Sequence, residues 1–272
     1  MNHSEFQLRA VGDPRLARHA ASALPAWLWS TDGTKILWAN PAGAKFFGAT
    51  NSAALAAKIF GPADQHRRQV AQLANRLPPN GAVRLERLRG FGAGLGTLAT
   101  CGCARLDFAD GSHGILVTAA DTAGRFMPLA ERLQRLVEGI DAPVASFDRD
   151  GALIGASNAT RSLLGFRDLA EAGLAETRDQ ALHQGRAERR VGSGHLVLQR
   201  VGSGADVGLI GWIEMREAAT DSSSPSPLAG EDRGEGWPHA QCLGTPTPAL
   251  ESELCSPRTP QGGGEQKEQL SM

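Results

Sequence analysis

Pro25 to Gly48 reads PAWLWSTDGTKILWANPAGAKFFG, and Pro143 to Gly165 reads PVASFDRDGALIGASNATRSLLG. Pro25 and Pro143, Asp32 and Asp150, and Asn40 and Asn158 each lie 118 residues apart. One gap after the asparagines then brings Gly48 onto Gly165. A repeat of this length describes two copies of one domain. Within the first copy, alternation from Trp27 to Trp29 predicts a strand with both indoles on one face and Leu28 on the other. Asp32-Gly33 predicts a tight hairpin, because both residues tolerate positive φ. Lys35 to Trp38 is the returning strand. Asn40 followed by Pro41 predicts a capped helix, since the Asn side chain accepts a free N–H and proline has none to waste.

Downstream, short helices are expected over 52–59 and from Gly61-Pro62 to Leu77, the second with Val70, Leu73 and Leu77 along one face. Strands are expected at 82–88, 97–108 and 113–119, with Asp110-Gly111 turning the last hairpin. Residues 128–140, PLAERLQRLVEGI, place Leu129, Leu133, Leu136, Val137 and Ile140 at helical spacing between charges. The second copy is compressed: one helix over 174–184, then strands at 187–191, 195–201 and 207–215, with GSGAD at 202–206 as a hairpin loop. Residues 1–19 are polar and expected to fray, apart from a short helix over 15–21.

With 272 residues the chain has room for about two domains, and its hydrophobic content of 41% suffices for their cores. The net charge of −1 is uneven: residues 218–272 carry 8 acidic and 3 basic side chains, the remainder 21 and 25. That surplus is too mild for a nucleic-acid partner. No apolar stretch is long enough for a membrane span, and the start lacks the apolar core of a signal peptide. Four cysteines do not make a disulfide framework. These features predict a cytoplasmic protein. Residues 225–272 hold 7 of the 15 prolines amid Ser, Gly and Glu, a composition that predicts disorder.

The fold class expected is therefore α+β. Strand, DG turn, strand, AN or SN cap and a small-residue helix ending in Leu-Gly or Phe-Gly resemble the opening of a PAS domain. The match covers Leu24 to Gly48 and, more loosely, Asp141 to Gly165. Asp121-Thr122 is similar to the Asp-x-Thr that closes many PAS domains, one residue short. The resemblance implies two tandem PAS-like domains, each an antiparallel sheet with helices on one face, at 20–122 and 141–217. They follow an N-terminal flank (1–19), are joined by an amphipathic helix within 123–140, and precede a disordered tail (218–272). The span from Asp13 to about Arg216, with GPADQHRRQVAQLA and RLERLRGFG, is similar to the sensory region of alphaproteobacterial sensor histidine kinases.

Such kinases continue into a phosphoacceptor helix and an ATP-binding domain. None of the seven histidines here sits in a His-Glu-(Leu)-Arg-Thr-Pro setting, and no ATP lid follows. The resemblance thus implies a signal-sensing and dimerisation module of a two-component phosphorelay lineage, truncated before its kinase core near Ala218, with no catalysis on this chain. It implies a homodimer, or a heterodimer with PAS-containing kinases. The competing class is a stand-alone small-ligand-binding PAS protein. An enzyme is disfavoured, because no nucleophile–base or carboxylate pair shows a telling spacing.

PAS domains often hold a small ligand between sheet and helices. Trp27, Trp29, Trp38 and Asn40 are the pocket candidates, with plain core packing the competing reading for the aromatics. Trp27 aligns with Ala145 and Trp29 with Phe147. No cofactor is expected: His66, the one first-domain histidine on a helix, sits among Asp64, Gln65, Arg67 and Arg68, and no Asn-Cys-Arg-Phe flavin motif occurs. Cys101 and Cys103 share a strand face, about 6.6 Å apart at 3.3 Å per residue. With His113 they could supply three zinc ligands, but buried thiols are the preferred reading and no metal is expected. FGAGLG (91–96) lacks the following helix of a dinucleotide loop. The stripe Leu129, Leu133, Leu136, Val137 and Ile140 is the candidate signalling element, packing either on a partner's stripe or back on its own sheet.

Overall fold

A computed structural model describes residues 3–79, 81–92, 97–120, 127–161, 165–191 and 194–214. Asp121-Thr122, positions 93–96 of the glycine-rich stretch and the tail at 218–272 lie outside the described residues.

In the first copy, β1 (Ala26–Trp29) and β2 (Ile36–Ala39) form the hairpin. Gly33 takes φ 68°, as the Asp-Gly turn requires. Three helices follow: α3 (Pro41–Phe46), α4 (Ser52–Ala56) and α5 (Gln65–Arg76). Asn40, Asn51 and Asp64 cap them, each side chain accepting a backbone N–H. The strands β3 (Arg84–Arg89), β4 (Leu98–Asp107) and β5 (His113–Ala119) complete an antiparallel sheet in the order β2-β1-β5-β4-β3.

Helix α6 (Leu129–Val137) leads into the second copy. There β6 (Val144–Phe147), β7 (Leu153–Ala156), α7 (Asn158–Arg161), α8 (Ala175–Gln184), β8 (Arg186–Val191), β9 (Gly194–Val201) and β10 (Gly208–Glu214) follow. Its sheet runs β7-β6-β10-β9-β8, strand for strand the first order. The architecture is α+β with two five-stranded antiparallel sheets, as the repeat predicts.

Two expectations change. Residues 3–12 do not fray: they form α1 (His3–Gly12), followed by α2 (Pro14–Ala20) with Asp13 as its cap. Ala10, Val11, Leu16 and Ala20 are buried, so these polar helices are held by what their narrow apolar side meets. The gap in the repeat also sits earlier. Leu28 pairs with Trp38 and Ser146 with Gly155, so β7 follows β2 at an offset of 117 residues, not 118. The second turn is one residue shorter, and the equivalent of Asn40 is Ser157 rather than Asn158. Asn40 N–H donates to Ala26 O and Ser157 N–H donates to Val144 O, the matching position.

Each sheet has an inner face under its own helices and an outer face. The outer faces share one core with α1, α2 and α6, which includes Leu16, Leu28, Trp38, Leu116, Leu133, Val137, Val144, Val197 and Ile210. Two glycines let α6 approach its sheet. A Cβ on Gly208 would lie 2.7 Å from Leu133 Cδ1, and one on Gly155 would lie 3.0 Å from Gln134 Cα. Gly155 occupies the place of Trp38, so the same outer-face position carries an indole in one copy and a helix in the other.

Candidate ligand cavity

On the inner face of the first sheet Trp27 and Trp29 stand side by side, as alternation requires, and both are fully buried. Helices α3 to α5 and their loops bring Phe46, Phe47, Phe60 and His66 onto them, and the turn after β3 adds Phe91. Trp27 meets Phe46 at 5.1 Å and Phe91 at 5.4 Å between ring centroids, both edge to face. Trp29 meets Phe60 at 4.7 Å. Trp27 Nε1 donates to Gly43 O at 2.9 Å. The rings fill one another's space, which is the core-packing reading of these two aromatics.

The structure does not bring Trp38 and Asn40 to them. Trp38 pairs opposite Leu28, and directly paired residues share a sheet face, so its ring enters the outer core. Asn40 is fully buried and engaged throughout. Its Oδ1 accepts from Ala26 N–H at 3.0 Å and Gly43 N–H at 2.8 Å. Its Nδ2 donates to the carbonyls of Leu24, His19 and Ser22 at 2.8, 2.9 and 3.3 Å. Asn40 thus fastens the chain entering β1 to the start of α3.

The thiols are also core. Cys101 and Cys103 are free and fully buried, and burial pushes them up to about 11 and about 12, the second helped by Cys101 and Glu86. Thiols so disfavoured as thiolates are poor ligands and nucleophiles. His113 lies across from Asp107, about 13 Å along β4 from Cys103, with its Nδ1 2.7 Å from Asp107 Oδ1. The three residues do not converge. The helical stripe packs back within the chain: Leu133 and Val137 are fully buried, Leu136 and Ile140 are buried, and Leu129 is half-buried against the shared core.

The second inner face differs at two adjacent positions. Ala145 stands where the first copy has Trp27, and Gly211, paired with Ala145, stands where it has Val117. Among the described residues, none fills the space those side chains would take. A cavity of about 350 Å³ lies there, lined by Pro143, Ala145, Phe147, Phe166, Leu174 and Gly211 among others. Thr160 is a polar side chain of this lining, and its hydroxyl donates to Val144 O at 3.1 Å. Phe147 and Phe166 lie parallel within 11°, their centroids 6.5 Å apart. Sequence reading looked to the first copy for a local reason: large aromatics advertise a lining, whereas this cavity is made by what is small.

The PAS domain family matches residues 16–80 and 131–194, so each match begins in the helix before a sheet and reaches into or beyond the helices after its first hairpin. The chain carries two PAS domains in tandem. No curated protein is similar enough to match it. Among solved structures, an extracellular ligand-binding receptor from Desulfohalobium retbaense is 14% identical, with 77% of this chain and 35% of that chain covered and a TM-score of 0.25. The chain therefore spans about a third of that relative's length. The extracellular domain of a candidate histidine kinase is 14% identical over 78% of this chain and 76% of that one, with a TM-score of 0.22. A domain of a sensory box/GGDEF family protein from Vibrio parahaemolyticus is 9% identical over 79% of each chain, with a TM-score of 0.24. Among the described residues of the PAS pair, no helix is long and apolar enough to cross a membrane.

Proposed function

We propose that this tandem PAS chain is the signal-sensing and dimerisation module of a two-component phosphorelay sensor histidine kinase lineage, without catalysis of its own and acting in the cytoplasm. One observation carries the sensing role. Two domains of one topology differ at the Trp27–Val117 and Ala145–Gly211 pairs, and at the smaller pair lies a cavity of about 350 Å³. A cavity of that volume suits a small ligand, toward the small end of binding pockets. The buried free thiols Cys101 and Cys103 suit a reducing compartment.

Native mass spectrometry of the purified full chain tests the sensing role. The expected result is a retained small molecule that the cavity-filling substitution Ala145→Trp removes; retention unchanged by that substitution overturns it. Incubation with radiolabelled ATP tests the rest, since label on any histidine would contradict a chain without kinase chemistry. Dimerisation is read by light scattering, where a monomeric mass at micromolar concentration retires that part of the proposal. Leu133 is buried inside the chain, so pairing through the α6 stripe requires the helix to leave its seat.

A further inference from the structure

We infer that the free edge of the first sheet, at β3, is a docking site for an acidic, extended polypeptide segment of a partner protein. Charge comes first. Residues 65–106 carry seven arginines and one acidic side chain, Glu86, in a chain whose net charge is −1. Arg68 and Arg76 on α5 and Arg84, Arg87 and Arg89 on β3 are exposed, and among the described residues none of these five is ion-paired. They lie together because α5 runs alongside β3: Gln69 meets Arg89 at one end, and Arg84 Nη1 donates to Arg76 O at the other. In the second domain the equivalent strand β8 differs, since Arg186 is paired with Glu188 and Glu214. Clustered like charges repel one another, and an acidic partner relieves that repulsion.

The backbone comes second. β3 is the last strand of its sheet, so one side of it is unpaired. Gly90 N–H donates to Thr97 O across the β3–β4 ladder, so even-numbered residues of β3 turn their backbone groups toward β4. Leu85, Arg87 and Arg89 therefore turn theirs outward. Arg89 shows what that side accepts. Its N–H donates to Gln69 Oε1 at 2.8 Å, and its C=O accepts from Gln69 Nε2 at 2.9 Å. A side-chain amide thus sits where a peptide group of a neighbouring strand would sit. Leu85 and Arg87 offer the same donor and acceptor, and among the described residues no strand meets them. The Leu85 side chain beside them is 77% exposed.

These two observations select the partner. Nucleic acid and lipid headgroups supply negative charge but no amides at strand spacing, whereas an acidic polypeptide supplies both. A second copy of this edge is disfavoured. Antiparallel registers centred on 86, 87 or 88 set Glu86 against itself, Arg87 against itself, or Arg87 against Arg89.

The test uses the full chain and a fluorescent peptide of alternating valine and glutamate, about six residues long, an ordinary strand length. Fluorescence anisotropy reads binding. The peptide is expected to bind, and its valine–lysine counterpart is not. The fully N-methylated peptide keeps the charge and loses the backbone donors, so it should bind more weakly by roughly tenfold or more. Arg87→Glu should weaken the parent peptide by a similar factor and the milder Arg87→Gln by less, with near-ultraviolet dichroism showing both variants folded. Arg190→Glu, on β8, should leave binding unchanged. Hydrogen exchange at the Leu85 and Arg87 amides should slow when the peptide is added. Equal binding of the N-methylated peptide overturns the proposal, because charge alone would then suffice. Binding of duplex DNA or phosphatidylserine vesicles where the peptide fails also overturns it, as does no binding by any of these probes.

Discussion

Arg132, on the helix that opens the second PAS domain, donates from Nη2 to Asp206 Oδ1 at 2.9 Å, across the turn between β9 and β10. The arginine is 1% exposed and the aspartate 33%. Arg132 Nη1 also donates to Ala21 O, at the end of α2, and Ala23 N–H donates to Asp206 Oδ2 at 3.3 Å. One guanidinium thus ties the linker helix to the first domain's entry and to the second domain's sheet. A third contact runs alongside, from Gly202 N–H to Ala17 O at 2.8 Å.

Arg132→Met is expected to lower unfolding stability by about 2–3 kcal/mol, less than the roughly 3–5 of a fully buried pair because Asp206 keeps some water. The unpartnered Arg132 Nε limits the loss further, since methionine leaves no polar atom there. Urea unfolding measures it. A midpoint equal to the parent's would mean the pair contributes nothing.

The same pair sets an acid limit. The hydrogen bond from Arg132 holds the Asp206 carboxyl below the usual carboxylate range, against a smaller opposing effect of burial. A folded value below the unfolded value of about 3.9 makes this stability complete above that pH and lost as pH falls through the folded value. Acid unfolding of Asp206→Asn, compared with the parent between pH 5 and 2, should show a shallower decline; parallel curves refute the assignment.

Gly208 gives a steric prediction. Gly208→Val drives a branched side chain into Leu133, whose methyls already lie 2.7 Å from the position of a Cβ. Overpacking of this kind costs typically 1–3 kcal/mol. Leu133→Ala in the same chain should recover part of the loss, and a double-mutant cycle reads the coupling. Additive losses would place α6 elsewhere.

Asn40 and Ser157 give a comparative one. Each sits at the end of the hairpin's second strand and accepts the N–H that opens its sheet: Ala26 N–H to Asn40 Oδ1, Val144 N–H to Ser157 Oγ at 3.3 Å. Asn40→Ala strands buried partners and should cost about 2–3 kcal/mol or more. Asn40→Ser should cost less, since the second domain already uses serine there. Equal losses in thermal unfolding would deny the equivalence.

That equivalence also shows where sequence reading stops. Turns, caps and strand faces depend on neighbours a few residues away, so the hairpins, the Asn40 cap and the Trp27/Trp29 face were legible. The one-residue deletion after Gly151 was not, because identical asparagines invited alignment of Asn40 with Asn158. Trp38 was assigned to the pocket although an antiparallel partner, Leu28, sends it to the other face. Ala145 aligned with Trp27 was in plain view, but its consequence depends on Gly211, 66 residues away, and only the sheet brings Ala145 and Gly211 together. Helix α1 was missed because its Phe6, Ala10 and Val11 side is held by tertiary packing alone.

The two thiols close the set. Cys101 and Cys103 in the folded chain titrate near 11 and 12, because burial disfavours the thiolate. Unfolded cysteines titrate near 8.5, so above that value the unfolded chain releases protons that the folded chain keeps. The sign follows: stability held below about pH 8.5 declines as pH rises toward 11. Urea unfolding at pH 8, 9.5 and 10.5 should show the decline, and Cys101→Ala with Cys103→Ala should flatten it. Ellman's reagent offers an independent reading at pH 8: neither thiol should react in the native chain, and both should react in urea. Rapid labelling of either one without denaturant would mean the inner face of the first domain is open to solvent.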